Sequence, residues 1–253
     1  AHKRSKLEIQ LVSIVMNIES TSLWIGLALL CSCQSRQQVT APVSTIDSTL
    51  QTNATAILES KLSEINAQSG QVIIMEVQSG QIKALVGLTR KDSTNYQSCE
   101  NFSVWQSTGL MHPISLLAAL ETGKVKLSDK VDTGNGIYQV QGRELKDHNW
   151  HRGGYGELTV QEGLATSSNI AIYKTMEKAF GNNPQSYFDL LANMSYGKPD
   201  SITGIANLKP AHFITPKDNN WTKTAFVWSS IGYNQHVSPI QILTFYNAIA
   251  NNG

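Results

Sequence analysis

The sequence predicts an α+β fold in which a block of helices packs on an antiparallel sheet. Two β-rich runs, residues 71–77 and 81–87, flank the turn residues Gln78, Ser79 and Gly80, which is typical of a β-hairpin. Helix start and stop signals then recur from Pro113 onward. Because a two-stranded hairpin is marginal alone, we expect further strands to complete the sheet. None is evident before the last residue, so we expect the sheet to be incomplete in this chain.

The first predicted element is a short amphipathic helix over residues 57–67. Leu58, Leu62 and Ile65 fall on one face of it, and Gly70 ends it. The hairpin described above follows directly. Together these elements predict a small helix-on-sheet layer.

The later helices are predicted from caps and breakers. Pro113 suits the first turn of a helix that ends at Gly123. Thr159 and Glu162 have the spacing of a capping box, and Ser238 and Gln241 repeat that pattern. The predicted helices are 113–122, 159–166, 169–180, one from 183 and 239–250, and the predicted irregular segments are 89–105 and 132–156.

The N-terminal segment is predicted to be a targeting signal rather than part of the folded domain. A basic start is followed by two apolar runs, residues 11–16 and 23–30, each shorter than the roughly 20 residues of a membrane span. This pattern is typical of a secretory signal. We therefore predict three segments: a signal over 1–33, a polar tether over 34–56, and one domain over 57–253.

Net charge, residue spacing and cysteine content each make one class of partner or bond unexpected: nucleic acid, a metal or cofactor, and a disulfide framework. With 20 basic and 19 acidic residues the net charge is +1, so the chain lacks the basic footprint of a nucleic-acid-binding protein. Asp147, His148 and His151 could offer metal ligands, but they lie in a Gly-flanked loop with no helical spacing, so we expect neither a metal nor a cofactor. With only Cys31, Cys33 and Cys99, a disulfide framework is not expected.

Three segments carry a family resemblance: residues 72–84, residues 156–171, which contain Ser167-Ser168-Asn169, and residues 237–241. In this order they resemble the transpeptidase domain of penicillin-binding proteins, in the serine β-lactamase-like superfamily. Leu30-Cys31-Ser32-Cys33 resembles a bacterial lipobox. That resemblance implies lipidation at Cys33 and a lipid-anchored location on the periplasmic side of the cell envelope.

The resemblance also implies a mechanism and shows where this chain departs from it. In the family, the Ser of a Ser-x-x-Lys motif attacks the stem-peptide carbonyl, and the motif's Lys accepts the proton. With Pro113 as the reference point, those two positions hold Gly109 and His112. Ser167 and Asn169 retain the catalytic Ser-x-Asn motif, although Ser and Asn also cap helices. No Lys-Thr-Gly strand is present, and in the family that strand follows the helix with which this chain ends.

Several functional interpretations follow. The leading one is a transpeptidase-type domain of peptidoglycan synthesis that is catalytically inactive because of Gly109 and His112, and that binds stem peptides or β-lactams weakly and non-covalently. Residual acylation at Ser107 or Thr108 is a minor variant of it. The alternatives are a non-catalytic cell-wall-binding lipoprotein, a β-lactamase or β-lactam sensor, and a decayed gene product.

Overall fold

The computed structural model describes residues 44–99, 102, 109–198, 205, 208–222 and 224–253. The described residues fall into two units, which we call the N-terminal unit, residues 44–99 with 246–253, and the helical unit, residues 102–245. The predicted signal segment and lipobox lie outside the described residues. Helices are combined with antiparallel sheets, so the fold is α+β.

The N-terminal unit contains one helix and a three-stranded antiparallel sheet in the order β1-β2-β3. Asp47 starts the helix, because its carboxylate accepts hydrogen bonds from the backbone N–H groups of Thr49 and Leu50, both at 2.9 Å. The elements are α1 (Ser48–Glu64), β1 (Ser69–Met75), β2 (Ile82–Arg90) and β3 (Tyr96–Ser98).

The face of α1 that packs on the sheet was largely predicted. Leu58 and Leu62 are buried with Ala84, Val86 and Leu88 in one cluster. Two predictions need correction. The helix begins at Ser48 rather than at residue 57, so part of the predicted tether is helical. The polar segment after residue 89 is not all loop, because β2 continues to Arg90 and pairs with β3.

The helical unit holds the remaining elements. Its helices are α2 (Met111–Glu121), a 3₁₀ turn (Trp150–Arg152), α3 (Val160–Ala165), α4 (Asn169–Phe180), α5 (Gln185–Asn193), α6 (Ala225–Ser230) and α7 (Pro239–Ala250), whose last turn belongs to the N-terminal unit. Its strands form three two-stranded antiparallel sheets: β4 (Lys130–Asp132) with β7 (Glu157–Thr159), β5 (Ile137–Val140) with β6 (Arg143–Lys146), and β8 (His212–Phe213) with β9 (Gln235–His236).

Helix α4 lies at the centre of this unit and packs against α2 and α3. Ile114, Ala118 and Ile170 are fully buried in this packing. A β-carbon placed on Gly163 of α3 would lie 2.5 Å from the β-carbon of Ala171. Only glycine therefore permits the close approach of α3 to the first turn of α4.

The two predicted capping boxes are confirmed by their hydrogen bonds. Thr159 Oγ1 accepts from the backbone N–H of Glu162 at 3.1 Å, and Glu162 Oε2 accepts from the backbone N–H of Thr159 at 2.8 Å. Gln241 Oε1 accepts from the backbone N–H of Ser238 at 2.9 Å. The segment 132–156, predicted to be irregular, is instead partly a hairpin of β5 and β6. Its strands have four residues each, too few to show a period of two.

Candidate functional site

His112 and Ser167 meet where helix α2 begins. His112 lies in the first turn of α2 and is only 2 % exposed. Its Nδ1 atom is hydrogen-bonded to the Ser167 hydroxyl across 3.2 Å. Ser167 lies in the turn between α3 and α4 and is exposed. The packing of α2 against α4 thus joins a basic side chain and a hydroxyl that are far apart in sequence.

Burial keeps the imidazole of His112 neutral. It lowers the pKa of His112 from 6.5 to about 4, while hydrogen bonding to the Asn169 side chain acts weakly in the opposite direction. Within the described residues, the His112 Nε2 atom has no hydrogen-bond partner. At neutral pH His112 is therefore an uncharged hydrogen-bonding group, whereas a lysine ammonium would carry a positive charge.

The turn that carries Ser167 is held in place by a buried carboxylate. Asp147 is fully buried, and its Oδ2 atom accepts from the Ser168 hydroxyl at 2.8 Å. Its Oδ1 atom accepts from the backbone N–H of Ile170 at 3.0 Å, at the N-terminus of α4, where a negative charge is stabilised. The Asn169 side chain donates to the carbonyl of Lys146 at 2.9 Å. The residues that follow Ser167 are therefore fixed, which leaves the Ser167 hydroxyl at the surface with His112 beneath it.

Sequence reasoning missed this role of Asp147. It considered Asp147 only as a metal ligand, since nothing local in the sequence links residue 147 to the turn at 167–169. Asp147 instead anchors that turn, and His148 Nε2 is hydrogen-bonded to the Tyr155 hydroxyl across 2.9 Å. Within the described ranges, no group of three or more His, Cys, Asp or Glu side chains could hold a metal ion.

Gly109 precedes helix α2 and has φ +69°, a left-handed backbone conformation that favours glycine. Leaving its two chain neighbours aside, no atom of the described residues lies within 4 Å of the place where its β-carbon would stand. The nearby hydroxyls of Ser107 and Thr108 lie outside the described residues. Gly109 itself has no side chain and so offers no group that could form an ester.

Of the two Lys-Thr pairs in the helical unit, Lys174-Thr175 is the one whose lysine is among the described residues. Lys174, on α4, donates to the carbonyl of Asp132 at 2.6 Å and lies over the Tyr138 ring. Lys223 lies outside the described residues. Among the residues that the structure describes, no helix is long and apolar enough to cross a membrane.

Comparison with known sequences gives a consistent result. The sequence model of the penicillin binding protein transpeptidase domain matches residues 70–253. The probable peptidoglycan D,D-transpeptidase PbpC of Pseudomonas aeruginosa is 26% identical over 216 residues, which are 82% of this chain and 36% of the relative. The peptidoglycan D,D-transpeptidase FtsI of Escherichia coli K12 is 23% identical over 82% of this chain and 35% of the relative. The chain thus spans about a third of the length of these curated relatives.

Solved structures show the same fold. A peptidoglycan glycosyltransferase from Burkholderia ambifaria superposes with a TM-score of 0.70 at 26% identity, over 83% of this chain and 62% of that chain. The TP domain of penicillin-binding protein 3 from Burkholderia pseudomallei superposes with a TM-score of 0.68 at 24% identity, over 83% of this chain and 58% of that chain.

Proposed function

The chain belongs to the penicillin-binding protein transpeptidase family, and from this premise we propose that it is a domain of peptidoglycan synthesis that binds stem peptides without acylating them. The relatives named peptidoglycan D,D-transpeptidases support the assignment to cell-wall synthesis. One observation carries the rest of the proposal: the Ser167–His112 pair is intact, but Gly109 stands at the position expected to hold the nucleophile.

The absence of turnover follows from the chemistry of acyl transfer. A covalent intermediate needs a nucleophile within reach of a base. His112 is neutral and could accept a proton, but the residue three positions before it has only a hydrogen in place of a side chain. A substrate carbonyl above Gly109 would therefore find no hydroxyl there.

Reversible binding is supported by what remains. Asp147 and the Lys146 carbonyl hold Ser168 and Asn169 in place, so the exposed Ser167 hydroxyl occupies a fixed position at low entropic cost. Such a group can donate a hydrogen bond to a peptide or β-lactam carbonyl. We expect this binding to be weak and non-covalent.

The test separates binding from acylation. The full chain is incubated with fluorescent penicillin, and its intact mass is measured. Binding of a D-Ala-D-Ala-terminated peptide is followed by NMR, with an L-Ala-L-Ala peptide as the control. We expect no mass increase, together with reversible shifts that are lost in Ser167→Ala and kept in Ser186→Ala, a change on α5.

Two results would overturn the proposal. One is a covalent penicillin adduct, whether mapped to Ser107, Thr108 or Ser167. The other is the absence of any peptide-dependent shift in a folded protein.

We also propose that the protein is anchored by lipid to the periplasmic side of a bacterial envelope. The support is the lipobox-like sequence Leu30-Cys31-Ser32-Cys33 after a short apolar run. Expression in a bacterium fed labelled palmitate tests this: the label should enter the wild-type protein and be lost in Cys33→Ser. Equal labelling of both proteins would contradict the anchor.

A further inference from the structure

Two histidines face each other on the two-stranded sheet of β8 and β9. His212 and His236 are direct partners in the antiparallel register, and their ring centres lie 6.3 Å apart. Both are exposed. From this juxtaposition we infer that the pair binds a divalent transition-metal ion of the kind that prefers imidazole, namely Cu²⁺, Ni²⁺ or Zn²⁺. The inference does not depend on the proposed function.

The spacing of the two rings suits one shared ion. Imidazole nitrogens bind such metals at roughly 2.0–2.1 Å, which at a tetrahedral angle places the two ring centres about 5 Å apart. The observed 6.3 Å therefore has to shrink by only about 1 Å. Rotation of the exposed side chains about χ1 and χ2 can supply that change without moving the backbone.

The backbone that carries the rings is held by the core beneath it. Gln235 and Val237, on either side of His236, are both buried. The Phe213 ring lies 5.8 Å from the Tyr196 ring, and the backbone N–H of Ile214 donates to the Asn234 carbonyl at 3.0 Å. The two histidines are therefore presented at a fixed separation, so chelation orders only side chains.

The local charge also favours a cation. The Asp218 carboxylate lies near His212: two hydrogen bonds from Thr215 lower the pKa of Asp218 most, and the charge of His212 lowers it further. Asp218 Oδ2 already accepts from both the backbone N–H and the hydroxyl of Thr215, each at 2.7 Å. Asp218 thus acts as a nearby negative charge, and the two imidazoles are the ligands.

The site is open rather than closed. Since no cluster of three or more suitable side chains occurs in the described part of the chain, two nitrogens bind the ion and water fills its other positions. No other histidine lies near His212 or His236 in the sequence, so it is the pairing of β8 with β9 that brings these two residues together.

The test is a titration of the full chain, stripped of metal, with Ni²⁺ in a calorimeter at about pH 7.5, where free imidazole is mostly neutral. We expect a binding event that weakens by about tenfold or more in His212→Ala and in His236→Ala. The matched control is the double variant His148→Ala/His151→Ala, which removes two other exposed histidines and should bind as the wild type does. Binding at the N-terminal cysteines or at His2 is common to all the variants and cancels in the comparison.

A second measurement, on the wild-type protein, tests the inference even if an alanine variant folds poorly. Histidine NMR of the wild type should show broadening by Ni²⁺ that affects the His212 and His236 rings before the other histidines. In His212→Gln, which keeps a polar side chain, the preferential broadening of the His236 ring should be lost. No binding by the wild type, equal affinity in the two single variants and the wild type, or broadening that spares this pair would each overturn the inference.

Discussion

Replacement of His112 by glutamine should remove a defined part of the acid sensitivity of the fold. His112 is buried with its pKa lowered to about 4 from 6.5, so the folded state favours the neutral ring. A histidine with a depressed pKa contributes stability above its unfolded pKa and loses it as the pH falls toward the folded pKa. The window for His112 therefore runs from 6.5 down to about 4.

The magnitude follows from proton linkage. At about pH 5 the unfolded chain binds a proton on this ring, and the folded chain mostly does not. The free-energy difference is close to 1.5 pH units at about 1.4 kcal/mol per unit, or about 2 kcal/mol. Near pH 7.5 the difference is about zero, because both states are neutral.

The assay is urea unfolding of the wild type and His112→Gln at about pH 7.5 and about pH 5, with His148→Gln as the exposed control. Exposed carboxylates titrate alike in all three proteins and cancel. The free energy of unfolding of the wild type should fall by about 2 kcal/mol more than that of His112→Gln over this interval. Equal pH dependence of the two proteins would show that His112 is not held neutral by burial, and would remove the electrostatic argument for the site.

Three further predictions test the surroundings of the site. Asp147→Ala should lower the free energy of unfolding by about 3 kcal/mol, because it leaves the buried Ser168 hydroxyl and Ile170 N–H unpaired. Asp147→Asn should lower it by about half as much. Equal losses for the two variants in urea denaturation would contradict the anchoring role of Asp147. Gly163→Val should cost at least about 2 kcal/mol, since its β-carbon would overlap Ala171; a thermal midpoint equal to that of the wild type would refute the close packing. Gly109→Ser combined with His112→Lys should gain penicillin labelling on a gel, at about 1 kcal/mol of backbone strain from φ +69°. Gly109→Ser alone should not, and labelling of the single variant would show that the neutral His112 suffices as a base.

Local sequence signals predicted the helices well because their information is short-range. Thr159 and Glu162 are three residues apart, and the bonds they form need nothing from the rest of the chain. The strands β3 to β9 were missed for the opposite reason: each has two to four residues, and its partner determines its conformation. The early start of α1 was missed because residues 48–56 lack a strong apolar stripe, although Asp47 is a good cap.

The same distinction between local and long-range information applies to the candidate site. The sequence singled out Ser167 because it lies in a segment that resembles the family, and Gly109 and His112 because of their spacing from Pro113. It could not show that His112 reaches Ser167, since that contact depends on the packing of α2 against α4. The anchoring by Asp147 and the facing pair His212 and His236 are likewise products of tertiary structure.

The contacts around the turn at 167–169 do not involve Gly109. Asp147 and the Lys146 carbonyl hold Ser168, Asn169 and Ile170, while the backbone N–H groups of Ser167 and Ser168 donate to the carbonyls of Leu164 and Gly163. The turn is therefore held with a glycine at position 109. His112 in turn fills a buried position without requiring a charge there. The contacts that hold this turn thus come from other residues than Gly109, the position at which the family resemblance places the nucleophile.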